Sequence, residues 1–99
     1  MFHLAPTGAS TCDYGTSVDQ SKCENAVLSL ATNAKEVPGR TLQVGAGGTC
    51  NDGGWGQVPL GCSMLSGGDW AAHFKTSGDT GKGCIHKGYQ LVCTGKRLS

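Results

Sequence analysis

The chain has 99 residues, of which 17 are glycine and only 6% are aromatic, so we expect a single domain that buries little large apolar surface. Eight Lys and Arg against seven Asp and Glu give a net charge of +1, which excludes a general attraction to nucleic acid or to an anionic membrane. No apolar run reaches the length of a bilayer-spanning helix, so we expect no membrane insertion.

Six cysteines are spread along the chain, at Cys12, Cys23, Cys50, Cys62, Cys84 and Cys93. They form no Cys-x-x-Cys pair and lack the paired short gaps of a zinc site. In so short a chain this pattern predicts structural disulfides, and therefore an oxidising compartment, either the cell exterior or an organelle lumen. A bridge across a long loop adds roughly 2–4 kcal/mol, so the bridges are expected to be a main support of the fold.

The N-terminal segment, residues 1–16, is predicted to be irregular because Pro6, Gly8 and Gly15 interrupt it. Its first residues lack the charged and apolar regions of a secretion leader, in conflict with the compartment that the cysteines predict. We give the cysteines more weight. We therefore expect either that a leader has been removed or that the chain is processed from a longer precursor.

One amphipathic helix is predicted over residues 19–34. From Cys23 onward, apolar residues recur at helical spacing, whereas the opposite face is polar. Asp19 is one of three candidate N-caps, and the Pro38-Gly39 pair ends the helix. Because Cys23 belongs to the apolar stripe, its sulfur can reach inward to a partner.

Short strands between glycine-rich loops are predicted beyond the helix. Alternation and turn signals place them at residues 41–44, 57–60, 70–75 and 89–94. The second is expected at a sheet edge because Pro59 has no backbone N–H to donate. Together the elements predict an α+β domain, with one helix packed on a small, mostly antiparallel, disulfide-stapled sheet. The alternative is a nearly all-β domain in which the helix only covers one face.

The pairing of the cysteines stays open at this point, because six cysteines allow fifteen pairings. We expect one bridge to tie the helix to the segment ending at residue 62, a second to tie the N-terminal segment to the last strand, and a third to clamp the two glycine-rich loops. The corresponding pairs are Cys23–Cys62, Cys12–Cys93 and Cys50–Cys84.

A motif of the form Cys-x-x-Ala-x-x-x-Leu is carried by Cys23, Ala26 and Leu30, and is followed by Pro-x-Gly-Cys and a hairpin over residues 64–75. This half of the chain resembles the small cysteine-rich modules of secreted proteins from dinoflagellates and other microalgae. The family usually ends its hairpin with a Tyr-Phe-Asn-like run, where this chain has Ala72-His73-Phe74-Lys75. The resemblance implies secretion and supports the Cys23–Cys62 pairing, and it implies no reaction.

Neither a catalytic site nor a metal site is predicted. Ser66, Asp69 and His73 lie close in sequence, but no serine has the surroundings of a nucleophile elbow. Asn51, Asp52 and Asp69 offer oxygens for calcium without the regularly spaced acids of a calcium loop. We therefore expect a non-catalytic protein with no cofactor and no bound metal.

Two glycine-rich turns each place a tryptophan beside acidic or amide side chains. One carries Asn51, Asp52 and Trp55, and the other carries Asp69 and Trp70. An indole can stack on the C–H face of a pyranose while Asp and Asn oxygens bind its hydroxyls, so we expect a ligand site here, to which His73, Tyr14 and Tyr89 can add. The alternative is that the tryptophans belong to the core and that the polar residues only form turns.

Three classes of function are consistent with these features. The first is a secreted, non-catalytic binding module, with carbohydrate as the best-supported ligand. The second is a structural or accessory subunit of a larger extracellular or lumenal assembly. The third is a small secreted effector or toxin, which needs a more cationic surface than a net charge of +1 provides. We expect the first, with a glycan or another protein as partner.

Overall fold

The computed structural model describes residues 1–49, 54–78, 84–86 and 88–95. Within these ranges the chain forms one helix packed on a six-stranded sheet, which is the α+β architecture predicted from the sequence. In chain order the elements are β1 (Phe2–Leu4), β2 (Thr16–Ser17), α1 (Gln20–Asn33), β3 (Gln43–Gly45), a 3-10 turn (Gly54–Gln57), β4 (Gly61–Leu65), β5 (Ala72–Lys75) and β6 (Tyr89–Thr94).

The sheet has the order β1-β6-β4-β5-β3, and β2 also pairs with β6. Among the described strands, β3 and β5 run parallel, and the other pairs are antiparallel. The sheet is therefore mostly antiparallel, as predicted. Its centre is β4, which pairs with β5 on one side and with β6 on the other.

The helix begins and ends close to the predicted bounds. Asp19 is its N-cap, and the carboxylate accepts a hydrogen bond from the Lys22 backbone N–H at 3.2 Å. Lys35 adopts a left-handed conformation with φ of 61°, which turns the chain away after the last helical turn. The buried residues of α1 are those of the predicted stripe: Cys23, Ala26, Val27 and Ala31. No helix in the described part of the chain is long and apolar enough to cross a membrane.

The main core lies between α1 and one face of the sheet. Successive strand residues point to opposite faces, so every second residue of the central strands β4, β5 and β6 meets the helix. The strand residues that do so include Cys62, Met64, Ala72 and Val92. The other face carries the intervening residues, and a smaller apolar cluster of Ala5, Leu91 and Cys93 lies there.

Two disulfides join the elements in the expected pairing. Cys12–Cys93 ties the N-terminal segment to β6, and Cys23–Cys62 ties α1 to β4. Cys84 is also disulfide-bonded, but Cys50 lies outside the described residues, so the Cys50–Cys84 pairing stays a prediction. Disulfides form and persist in oxidising compartments, so the chain belongs to an oxidising environment.

The predicted strands were wrong in two places. Residues 57–60 do not form a strand: the 3-10 turn ends at Gln57, and Val58 and Pro59 are buried. The strand in this region is β4: the hairpin expected over residues 64–75 covers its last two residues and β5, but no pattern indicated its start. Three successive residues of β4, Cys62, Ser63 and Met64, are fully buried, so the strand shows no alternation of apolar and polar residues.

The N-terminal segment also differs from the prediction of an irregular chain. Residues Phe2–Leu4 form β1 by pairing with residues 92–94 of β6. Pro6 and Gly8 interrupt regular structure only after this strand, where the chain enters a turn. A three-residue strand is too short to give a periodic signal, so its formation depends on β6.

Candidate functional site

A small cleft opens on the face of the sheet opposite α1. Its volume is about 190 Å³, and its walls are formed by Arg40, Gln43, Gly54, Trp55, Val58, His73 and Tyr89. β5 directs His73 to this face because its neighbours Ala72 and Phe74 pack toward α1. The 3-10 turn contributes Trp55, and the first residue of β6 contributes Tyr89.

Three rings follow one another through the cleft. The centroids of Trp55 and His73 are 5.7 Å apart with a tilt of 58°, and those of His73 and Tyr89 are 5.1 Å apart at 87°. Both spacings lie in the range of favourable tilted and edge-to-face contacts. His73 is only 4% exposed, whereas the two outer rings are half-buried. The imidazole therefore lies at the base of the cleft, between two rings that solvent can reach.

Trp55 is held both through its ring and through its backbone carbonyl. It lies directly on the backbone of Gly45 in β3, so closely that a Cβ added at Gly45 would overlap the ring. The buried Lys75 ammonium donates a hydrogen bond to the Trp55 carbonyl at 2.7 Å. The turn and the ring are therefore fixed relative to β3 and β5.

An ion pair lies beside the cleft. The Nε of Arg40 donates to Oδ2 of Asp69 at 2.6 Å, and Oδ1 of Asp69 accepts from the Ala71 backbone N–H at 3.1 Å. The hydrogen bond from Arg40 lowers the pKa of Asp69, and the same bond raises the pKa of Arg40. Both groups are therefore charged at neutral pH.

His73 is neutral at neutral pH. Burial lowers its pKa below the ordinary value of 6.5, and the charge of Arg40 lowers it further. Its Nδ1 lies 3.1 Å from the Ala71 carbonyl oxygen, which can only accept, so Nδ1 carries the hydrogen. The Nε2 of the neutral ring is then a hydrogen-bond acceptor. Burial raises the pKa of Tyr89, which keeps its phenol protonated.

Of the residues predicted to bind a ligand, Trp55 and His73 line the cleft, and Asp69 supports it through Arg40. Trp70 lies elsewhere: it packs against the core between α1 and the sheet and has a left-handed φ of 65°. Trp70 is therefore partly buried against the core and lies outside this cleft. Asn51 and Asp52 lie outside the described residues.

The sequence did not point to two polar residues of the cleft, Arg40 and Gln43, or to Gly54 and Val58 in its walls. Arg40 lies 29 residues from its partner Asp69, and no motif links them. Gln43 belongs to a predicted strand, but alternation alone does not say which neighbour its side chain meets. Only the parallel pairing of β3 with β5, which sets Gln43 opposite His73, brings it to the cleft.

The residues considered for catalysis are engaged in other contacts, the calcium set has two members outside the described residues, and one cluster that the sequence did not suggest could hold an ion. The Ser66 hydroxyl bonds to the Gln90 side chain and the His73 ring bonds to Ala71, so no hydrogen-bonded chain links Ser66, Asp69 and His73 in the described structure. His3, Asp13 and Cys93 lie close enough together to share an ion, but the Cys93 sulfur is bonded to Cys12. It therefore offers no thiolate.

Comparisons with protein-family models, with curated proteins and with solved structures found no match. Function is therefore inferred from the geometry and chemistry of the cleft. Its described walls provide two accessible aromatic rings, one guanidinium and several neutral polar groups.

Proposed function

We propose that this protein is a non-catalytic binding module that recognises carbohydrate in the cleft between Trp55 and Tyr89. The observation that supports this most is the convergence of two half-buried rings on one small concavity with polar side chains around it. Apolar and aromatic walls with a few placed polar groups are typical of ligand sites. A pyranose has an apolar C–H face for the rings and hydroxyls for the polar groups.

The polar groups suit hydroxyls because several have no partner within the described part of the chain. Gln43 donates its amide N–H to the Thr41 carbonyl at 2.8 Å, which leaves its Oε1 as an acceptor. The structure shows no hydrogen bond for that oxygen, for His73 Nε2 or for the Tyr89 hydroxyl within the described part of the chain. A sugar hydroxyl both donates and accepts, so it can satisfy each of them.

Secretion is the second part of the proposal. The disulfides require an oxidising environment, and an extracellular location provides one. The resemblance to secreted cysteine-rich modules of microalgae supports the same location. An organelle lumen is the alternative, and localisation of the tagged protein in its native cell distinguishes the two.

The proposal is tested by measuring glycan binding with two aromatic variants. We expect the wild type to give a signal on a glycan array and Trp55→Ala to bind the selected glycan at least tenfold more weakly, a loss of about 1.4 kcal/mol. Tyr14→Ala is the matched control, because Tyr14 stacks on His3 outside the cleft. Absence of any glycan signal for the folded wild type, or unchanged affinity in Trp55→Ala, would contradict the proposal.

A structural subunit is the second candidate function, and one observation favours it. A groove of about 450 Å³ between α1 and residues 37–41 is lined by Val27, Leu28, Val37 and Pro38. Leu28 is 51% exposed and Val37 is 83% exposed, so apolar surface is available to another chain. A concentration-independent monomer in light scattering, unchanged in Leu28→Gln, would argue against self-assembly through this groove.

A further inference from the structure

Arg40 places a guanidinium on the wall of the cleft, and its Nε side is paired with the carboxylate of Asp69. Among the described residues that line the cleft, Arg40 is the one charged side chain, and no carboxylate is present. Asp69 is not a lining residue, although its charge also acts on His73 and Tyr89. A charged ligand group in the cleft therefore meets a cation first.

The orientation of the guanidinium is fixed by Asp69. The Nε of Arg40 donates to one carboxylate oxygen of Asp69, and the other oxygen accepts from the Ala71 backbone. Because the guanidinium is planar, fixing Nε also fixes the directions of the terminal N–H groups. No hydrogen bond from the two terminal nitrogens is found within the described structure, and the side chain is 47% exposed.

The guanidinium also lies close to the rings of the cleft. Arg40, His73 and Tyr89 line the same cleft. The charge of Arg40 lowers the pKa of both rings and the charge of Asp69 raises both, so the ion pair as a whole lies near them. A group bound to the terminal nitrogens is therefore near enough for the rest of its molecule to contact the rings. This proximity joins the cation and the aromatic walls into one site.

We infer that the cleft selects an anionic sugar, whose carboxylate or sulfate group binds the terminal N–H groups of Arg40 while its ring contacts Trp55 and Tyr89. This inference rests on the proposed carbohydrate function and specifies the chemical class of its ligand. A carboxylate or a sulfate presents two oxygens that match the two terminal nitrogens. Charge-assisted bonds of this kind are roughly twice as strong as bonds to a neutral hydroxyl.

Neutral and cationic ligands fit less well. A neutral sugar can offer only hydroxyl oxygens to the guanidinium, so it forms weaker bonds there. A cationic sugar would be repelled by the Arg40 guanidinium that lines the cleft, and the Asp69 carboxylate is not part of the lining. Charge selectivity of the cleft is therefore expected to depend on Arg40.

The test compares three matched oligosaccharides by calorimetry at one ionic strength: a galacturonate oligomer, a galactose oligomer of the same length and linkage, and its sulfated form. We expect the wild type to bind at least one anionic oligomer tenfold or more tightly than the neutral one. The carboxylate and sulfate arms show which group is preferred. Arg40→Gln should abolish the preference, and Arg40→Lys should restore only part of it, because an ammonium cannot form the paired bonds.

Lys22→Gln is the matched control, since it removes one positive charge from the exposed first turn of α1, away from the cleft. It should leave the preference unchanged, and thermal unfolding should show that all variants remain folded. Equal affinity of the wild type for the three oligomers, or a preference that persists in Arg40→Gln, overturns the inference and leaves carbohydrate binding intact. If the folded wild type binds none of the three and gives no signal on a glycan array, the proposed function and the inference both fail.

Discussion

The position of the Trp55 indole depends on the absence of a side chain at Gly45. The ring lies on the Gly45 backbone, where a methyl group would overlap it. Neither residue suggests this contact from its sequence position, because the two are brought together by the turn over residues 54–57. The same close approach explains why β3 ends in glycine at this edge of the sheet.

Substitution of Gly45→Ala is therefore expected to move the indole without unfolding the chain. The Nε1–H resonance of Trp55 should shift in a nitrogen–proton correlation spectrum, and glycan affinity should fall by at least tenfold. Val44→Ala is the control, since it changes a side chain of the same strand that is 50% exposed. An unchanged Trp55 resonance in Gly45→Ala would show that the indole does not lie on the strand.

His73 makes the stability of the fold sensitive to acid. Its pKa in the folded protein lies below the ordinary value of 6.5 because the ring is buried. The unfolded chain therefore binds the proton more readily than the folded chain does. The stabilising contribution of the neutral ring is complete above pH 6.5 and is lost as the pH falls toward the lower, folded pKa.

We expect His73→Gln to flatten this pH dependence. Unfolding free energies from urea titrations should decline between pH 7.5 and pH 5 in the wild type and decline less in the variant. Ser29→Gln changes an exposed residue of α1 that does not titrate, and it should keep the wild-type slope. Equal slopes in the wild type and His73→Gln would contradict neutral burial of the ring.

At the scale of elements, the local sequence predicts α1 well and β4 poorly. The helix carries its own N-cap and a stripe of apolar residues, so local interactions indicate both its start and its buried face. β4 is buried on both sides and pairs with two strands, so its state depends on its neighbours. The Cys23–Cys62 bridge links these two elements directly.

The N-cap of α1 is expected to contribute measurably to stability. Asp19→Ala removes the acceptor for the Lys22 backbone N–H and should lower the free energy of unfolding by about 1 kcal/mol. Asp19→Asn keeps a capping oxygen and should lose only a small part of this. Chemical denaturation of the three proteins makes the comparison. A loss in Asp19→Asn as large as in Asp19→Ala would indicate that charge, and not the cap, is responsible.

At the scale of the whole molecule, disulfide cross-links compensate for a core in which many side chains are small. The main core contains alanines and cysteines beside Val27, Met64 and Val92. The two bridges close loops with sequence separations of 81 and 39 residues. Loops of this length correspond to about 4 kcal/mol of stabilisation each, which is a large share of the total stability of a small domain.

Removal of one bridge is therefore expected to bring the domain near its stability limit. The paired substitution Cys23→Ser with Cys62→Ser should lower the free energy of unfolding by up to about 4 kcal/mol.

The mass of the native protein should rise on complete reduction by that of six hydrogen atoms if all six cysteines are bridged. Native material with free thiols would contradict both the oxidising environment and this account of stability.

The sequence by itself determined the features that covalent chemistry and local periodicity control. The even set of cysteines indicated disulfides and an oxidising compartment, the apolar stripe and Asp19 indicated α1, and the alternation over residues 89–94 indicated β6. These signals lie within one segment or in the identity of a residue, so they can be interpreted before the fold is known.

Only the tertiary structure decided which tryptophan lines the cleft and which charged residue stands beside it. Trp55 and Trp70 both follow glycine-rich turns, but one lies on Gly45 and the other packs into the core. Arg40 meets Asp69 across 29 residues, and β4 becomes a strand through its two neighbours. These outcomes depend on contacts between distant segments, which no local pattern encodes.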